Sequence, residues 1–212
     1  MVLEKNLNTR PIAKKLLEFE DKVNGLAFPG IKRAKQIDSN SCGPAALVTL
    51  YSFLGVKASQ KGIIVSLRVK QKIKKYGLSI RDMARASKII GKRAFSFWKK
   101  INAKVSDLDL AINKYKSPVG VEWQGVFYED EDEDNGHFSV ITKIDKKNGY
   151  LRMADPYYKF AGVDRKFKIK DFEKRWWDEN IIHGRNLHDK RVMFVITPKG
   201  VTWPKKLGMK KG

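Results

Sequence analysis

Residues 42–55, CGPAALVTLYSFLG, limit the fold of this chain more than any other segment. They are apolar nearly all the way round a helix, with a capping candidate ahead, Pro44 in the first turn and Gly55 at the end. A helix without a polar face has to be covered on every side, so this one belongs at the centre of a domain.

The rest of the chain supplies the cover. IIVSLRVKQKIKK and SIRDMARASKII read as two further helices, the second capped by Ser79 and stopped by Gly91. VSDLDLAINKY reads as a short one. The period then changes. SPVGVEWQ, HFSVITKID, GYLRMADP, RKFKI and RVMFVITP alternate or run apolar as strands do, separated by turn residues such as Lys147, Asn148 and Gly149. DFEKRWWD falls among them as a short helix. Helices first and an antiparallel sheet second is an α+β pattern, with the apolar helix packed on the sheet. Ahead of it, Pro11–Asn24 reads as an amphipathic helix with Ile12, Leu16, Phe19 and Val23 on one face. The expected divisions are an N-terminal helical extension over 1–29, a main domain over 30–200 and a basic tail over 201–212.

A chain of 212 residues, 42% hydrophobic, can bury a substantial core without a staple. Its single cysteine excludes an internal disulfide framework, as is common in a reducing compartment. There is no apolar run of about 18 residues to span a membrane, and MVLEKNLNTRPIAKK has no apolar core of the kind that directs secretion. The expectation is a soluble, cytoplasmic protein.

The net charge of +21 is extreme. It implies attraction to something anionic, whether nucleic acid, a membrane surface or an acidic protein. The plainer reading is a lysine-rich, solvated surface, because no helix-turn-helix, zinc-finger or RNP pattern is visible. Basic residues dominate from Lys57 to Lys116, whereas Glu129–Asp134 is wholly acidic. Asp130, Asp132, Asp134 and Gly136 suggest a calcium loop, but the spacing fails. Counted from Asp130, the positions that need Gly and a bidentate Glu hold Asn135 and Ile141. No metal or organic cofactor is expected.

The lone thiol, Cys42, opens the buried helix. Free backbone N–H groups and the helix dipole favour negative charge there, which suits a nucleophile. Acyl transfer also needs a base, a group to orient that base and donors for an oxyanion. Of three histidines, His183 and His188 flank a polar stretch, while His137 opens the strand HFSVITKID and is the better base. The next strand ends in Asp155, whose carboxylate could fix the imidazole tautomer. Gln36, six residues ahead of Cys42, lies in a loop able to fold back and donate beside the Cys42 N–H.

Taken together, QIDSNSCGPAALVTLYSFLG, YGLSIRDMARASKIIGKRA, SPVGVEW, GHFSVITKID, YLRMADPYY and KDFEKRWW resemble the C39 and C39-like cysteine peptidases of the papain-like superfamily. The likeness runs in order from Ile31 to Pro198. It implies a papain-like fold with a helical lobe packed on a sheet lobe, a Cys-His-Asp triad and a glutamine in the oxyanion hole. Cys42 matches the nucleophile, His137 the base, Asp155 the orienting acid and Gln36 the oxyanion donor. The substrate implied is a peptide or protein. Relatives that process double-glycine leaders are usually fused to a transporter, whereas this chain is expected to be a stand-alone domain, which leaves that specificity open. Gly136, just ahead of His137, and Trp123, at the end of a strand opposite, are the candidates for lining a peptide groove, although core packing is the plainer role for a tryptophan. The alternatives are a related amide or isopeptide hydrolase or transpeptidase, and a basic non-catalytic binding protein on the same scaffold.

Overall fold

The apolar helix forms as expected: in the computed structural model, α1 spans Cys42–Phe53 and is buried from Cys42 through Tyr51. The structure describes residues 28, 30–91, 94–127, 136–182 and 185–212. The helix expected over Pro11–Asn24, the acidic run Glu129–Asp134 and His183 lie outside the described residues.

Three helices follow α1 in sequence: α2 (Gln60–Leu67), α3 (Lys70–Tyr76) and α4 (Ile80–Gly91). The single helix expected over 63–75 is in fact two. Arg68 takes a left-handed conformation, φ 56°, and ends α2 with its N–H on the Ile64 and Val65 carbonyls. The start of α4 is boxed as the sequence suggests: Ser79 Oγ accepts from Asp82 N, and the Asp82 carboxylate accepts from Ser79 N.

The remaining elements are β1 (Phe95–Lys100), α5 (Val105–Asp109) continued by a π turn at Leu110–Lys114, β2 (Val119–Gln124), β3 (Gly136–Asp145), β4 (Tyr150–Ala154), β5 (Asp164–Lys168), α6 (Ile169–Arg175), β6 (Trp177–Ile182), β7 (Arg185–Lys190), β8 (Val192–Pro198), α7 (Trp203–Lys206) and β9 (Lys210–Lys211). Seven strands form one antiparallel sheet in the order β5-β4-β3-β2-β8-β1-β9, and β6 and β7 pair as a separate hairpin. The five strands read from periodicity are all present. Unforeseen were β1, which lies beside β8, and the β6–β7 hairpin, which takes in the stretch read as a polar loop around His188. Residues 201–212, set apart as a tail, pack on the sheet: Leu207 and Met209 are buried and β9 pairs with β1.

Alternation along the strands gives the sheet two apolar faces. Phe97, Phe138, Val140, Val192, Phe194 and Ile196 pack with α1 and its neighbouring helices. Val121, Trp123, Ile141, Met153, Phe167, Met193 and Val195 pack with the smaller helices on the other side. The approach of α1 is close. A Cβ on Gly43 would lie 3.0 Å from Met83 Sδ and 3.4 Å from a Phe138 ring carbon, so the residue after Cys42 has no side chain to spare.

Candidate active site

Each residue in the cleft is placed by a different element. Cys42 starts α1, His137 is the second residue of β3, Asp155 follows the last residue of β4, and Gln36 lies in the loop leading into α1. All four are buried. His137 Nε2 and Asp155 Oδ1 are 2.8 Å apart, and the Cys42 thiol lies close enough to the ring to favour its protonated form.

The electrostatics of this row favour the charged pair. Burial pushes the His137 ring toward its neutral form, but the charge and hydrogen bond of Asp155, reinforced by Cys42, outweigh it and raise the pKa to about 9. Burial alone would raise Asp155. Instead the positive charges of His137 and Arg165, with hydrogen bonds from His137 and the Tyr157 N–H, hold its carboxyl well below the usual carboxylate range.

Gln36 is anchored through its backbone, its N–H donating to the Pro156 carbonyl at 2.8 Å. Its Nε2 donates to the Asp38 carbonyl at 2.9 Å and carries a second N–H, while Oε1 is buried without a partner. Asp38 serves the loop. Its carboxylate accepts from Ser41 Oγ at 2.6 Å and from Asn40 N at 3.1 Å. Ser41 therefore spends its hydroxyl on Asp38 and makes no side-chain cap on α1.

The profile of the Peptidase_C39 like family matches residues 28–180. The chain belongs to that family. No curated protein sequence matches it. Among solved structures, this C39-like domain is similar to the peptidase domain of Streptococcus ComA, a bifunctional ABC transporter of a quorum-sensing pathway. That similarity has a TM-score of 0.57 and 18% identity, and covers 78% of this chain and 97% of that one. A double glycine motif protease from an AMS/PCAT transporter, solved with its leader peptide, has a TM-score of 0.54 and 15% identity, covering 84% and 96%. A Bacillus anthracis protein described as C39-like has a TM-score of 0.58 and 12% identity, covering 82% and 98%. At these identities the likeness establishes the fold: a C39, papain-like peptidase fold. Among the described residues, no helix is long and apolar enough to cross a membrane.

One groove candidate of the C39-like domain needs revision. Trp123 is 0% exposed, so it cannot form a groove wall. It pairs with His137 across β2 and β3, donates its indole N–H to Ser139 Oγ at 3.0 Å and packs edge-on to Phe167, which makes it a support beneath the imidazole. Gly136 sits against a carboxylate. A Cβ there would lie 2.3 Å from Asp178 Oδ1, the same oxygen that accepts from Gln124 Nε2 at 3.1 Å. Phe127, absent from the sequence reading, stands edge-on to the His137 ring at 4.8 Å.

Arg165 was also missed. It is 1% exposed, and its Nη1 donates to Asp155 Oδ2 at 2.5 Å. The strand RKFKI offered a clue: Arg165 alternates with Phe167, which puts it on an inward face.

Proposed function

We propose that this C39-like domain is a cysteine peptidase, with Cys42 as nucleophile, His137 as acid and base, Asp155 as orienting acid and Gln36 as oxyanion donor. The observation that carries the reading is the buried run of contacts from Cys42 through His137 to Asp155. Cys42 Sγ attacks the scissile carbonyl, forming a C–S bond and pushing the C=O electron pair onto oxygen. The second N–H of Gln36 Nε2 and the Cys42 backbone N–H are the donors for that oxygen. Collapse of the intermediate breaks the C–N bond as His137 hands its proton to the departing amine. Water then attacks the thioester while His137 takes one of its protons, and expulsion of the sulfur releases the acid.

A peptide substrate is supported by family membership and by the leader peptide bound to the similar AMS/PCAT protease. The test is alkylation by iodoacetamide at pH 6, where an ordinary thiol is almost wholly protonated. Fast labelling of Cys42, together with cleavage of a mixed peptide library that is lost in Cys42→Ser, is the expected result. Labelling at the rate of a free thiol would overturn the reading.

A further inference from the structure

Three neighbouring strands bring His137 (β3), Asp155 (end of β4) and Arg165 (β5) into one row, and the two oxygens of Asp155 are divided between its neighbours. Oδ1 meets His137 Nε2 at 2.8 Å and accepts from Tyr157 N at 2.9 Å, while Oδ2 takes Arg165 Nη1. The guanidinium is itself immobilised. Nη2 donates to the Val126 carbonyl at 3.0 Å, and the plane is held against the rings of Phe160, 3.6 Å from the centroid, and Phe167, 4.7 Å. A planar fork can hold a carboxylate oxygen and a backbone carbonyl at once, whereas an ammonium is a point charge on a flexible stem.

A buried ion pair is weak evidence for stability, because desolvation offsets most of the attraction. A role confined to stability therefore accounts poorly for an arginine 1% exposed beside an aspartate 2% exposed. We propose that Arg165 is a positioning residue: by binding Oδ2 it keeps the Asp155 carboxylate ionised and turned so that Oδ1 faces His137. The proposal rests on the peptidase reading above. It acts through Asp155, and Arg165 touches neither substrate nor sulfur. Among the described residues, the titratable and charged groups facing this row include Cys42 from α1, His137 from β3 and Arg165 from β5. The adjacent Asp164 is engaged elsewhere, accepting from Arg33 at 2.7 and 2.8 Å and from Thr142 Oγ1 at 2.9 Å.

The test is the pH profile of Cys42 alkylation by iodoacetamide in the full chain. In the wild type this profile has an acid limb, below which labelling slows. Arg165→Gln removes the charge, lets Asp155 protonate more easily and moves that limb to higher pH, by less than the roughly 1–3 units that one close opposite charge gives at the carboxylate itself. Arg165→Lys keeps the charge and returns the limb toward the wild-type position. A purely structural arginine would lower the melting temperature of both variants and leave the limb where it is, which would overturn the proposal. Should Arg165→Gln fail to fold, Phe160→Leu thins the ring cover over the guanidinium and leaves every polar group in place. Its limb moves the same way by less, and an unmoved limb counts against the proposal. A wild-type profile without activation sinks the peptidase reading instead, so the two failures are distinguishable.

Discussion

Replacing Asp155 by Asn preserves volume and removes one charge from the centre of the row. Both side chains hydrogen-bonded to that carboxylate are donors, His137 at 2.8 Å and Arg165 at 2.5 Å, and the Tyr157 N–H is a third at 2.9 Å. An amide has one oxygen to accept with, so one of these contacts becomes donor against donor. Breaking a buried pair from one side costs about 3–5 kcal/mol, because the remaining charge is stranded away from water. The pH dependence should change with it. A rise in the His137 pKa from 6.5 to about 9 is worth about 3 kcal/mol. Because the folded value is raised, that stability is fully present below pH 6.5 and lost as pH climbs through about 9. Asp155 has the opposite sign: its lowered value gives stability present above about pH 4 and lost on acidification through the folded value. The two describe one interaction and do not add. The assay is urea unfolding followed by tryptophan fluorescence at pH 6 and pH 10. The wild type should be markedly less stable at pH 10, and Asp155→Asn should be weaker at pH 6 with most of that alkaline decline gone. A loss under about 1 kcal/mol at pH 6, with the wild-type decline retained, would refute the account of a buried charged row.

Hydrolysis of a cleaved peptide should fall as pH rises through about 9, where His137 loses the proton destined for the leaving amine, while alkylation of Cys42 should not fall there. Paired rate profiles for the two reactions check this. Gln36→Ala should lower kcat by about 10²–10³ with little effect on KM, as removing an oxyanion donor does, and steady-state kinetics on the same peptide measure it. Gly120→Ala should cost about 1–3 kcal/mol in urea unfolding. Its Cβ would fall 2.2 Å from the Phe194 ring, which is stacked on Phe97 at 5.4 Å and has little room to swing.

Much of this arrangement was legible because it rests on local pattern. An apolar helix opening on the only cysteine, strands with period two and turn residues between them were enough to expect α1 packed on β2, β3, β4, β5 and β8. What escaped depends on partners distant in sequence. FSFWKK carries no alternation, because Phe97 and Trp98 are both buried, on opposite faces, and its strand character comes from β8 on one side and two residues of β9 on the other. WDENII and RNLHDK are too polar to show a period, and pairing with each other defines them. The break between α2 and α3 turns on a left-handed arginine, a conformation with no sequence mark. Arg165 was obscured by its surroundings, one cation among four in the stretch 164–170, and only its alternation with Phe167 separates it from the neighbouring lysines.

The distance from the sulfur to the ring is set by long-range ties. The loop that carries Gln36 into Cys42 is tied to the segment 155–165 at two points: Arg33 binds the Asp164 carboxylate with two nitrogens, 131 residues away, and Gln36 N–H reaches the Pro156 carbonyl. Both partners belong to the segment that also supplies Asp155 and Arg165. One stretch, 155–165, therefore orients the imidazole from behind and draws the loop before α1 across the sheet. Local helix formation could place Cys42 at a helix start, but it could not bring Gln36 and His137 to the same side of a bound carbonyl. That requires β4 and β5 to be paired and the Asp164–Arg33 bridge to be closed. On the proposed reading, Cys42 becomes competent as a nucleophile only when the sheet edge is complete, so its reactivity reports on folding of the whole domain rather than on α1 alone.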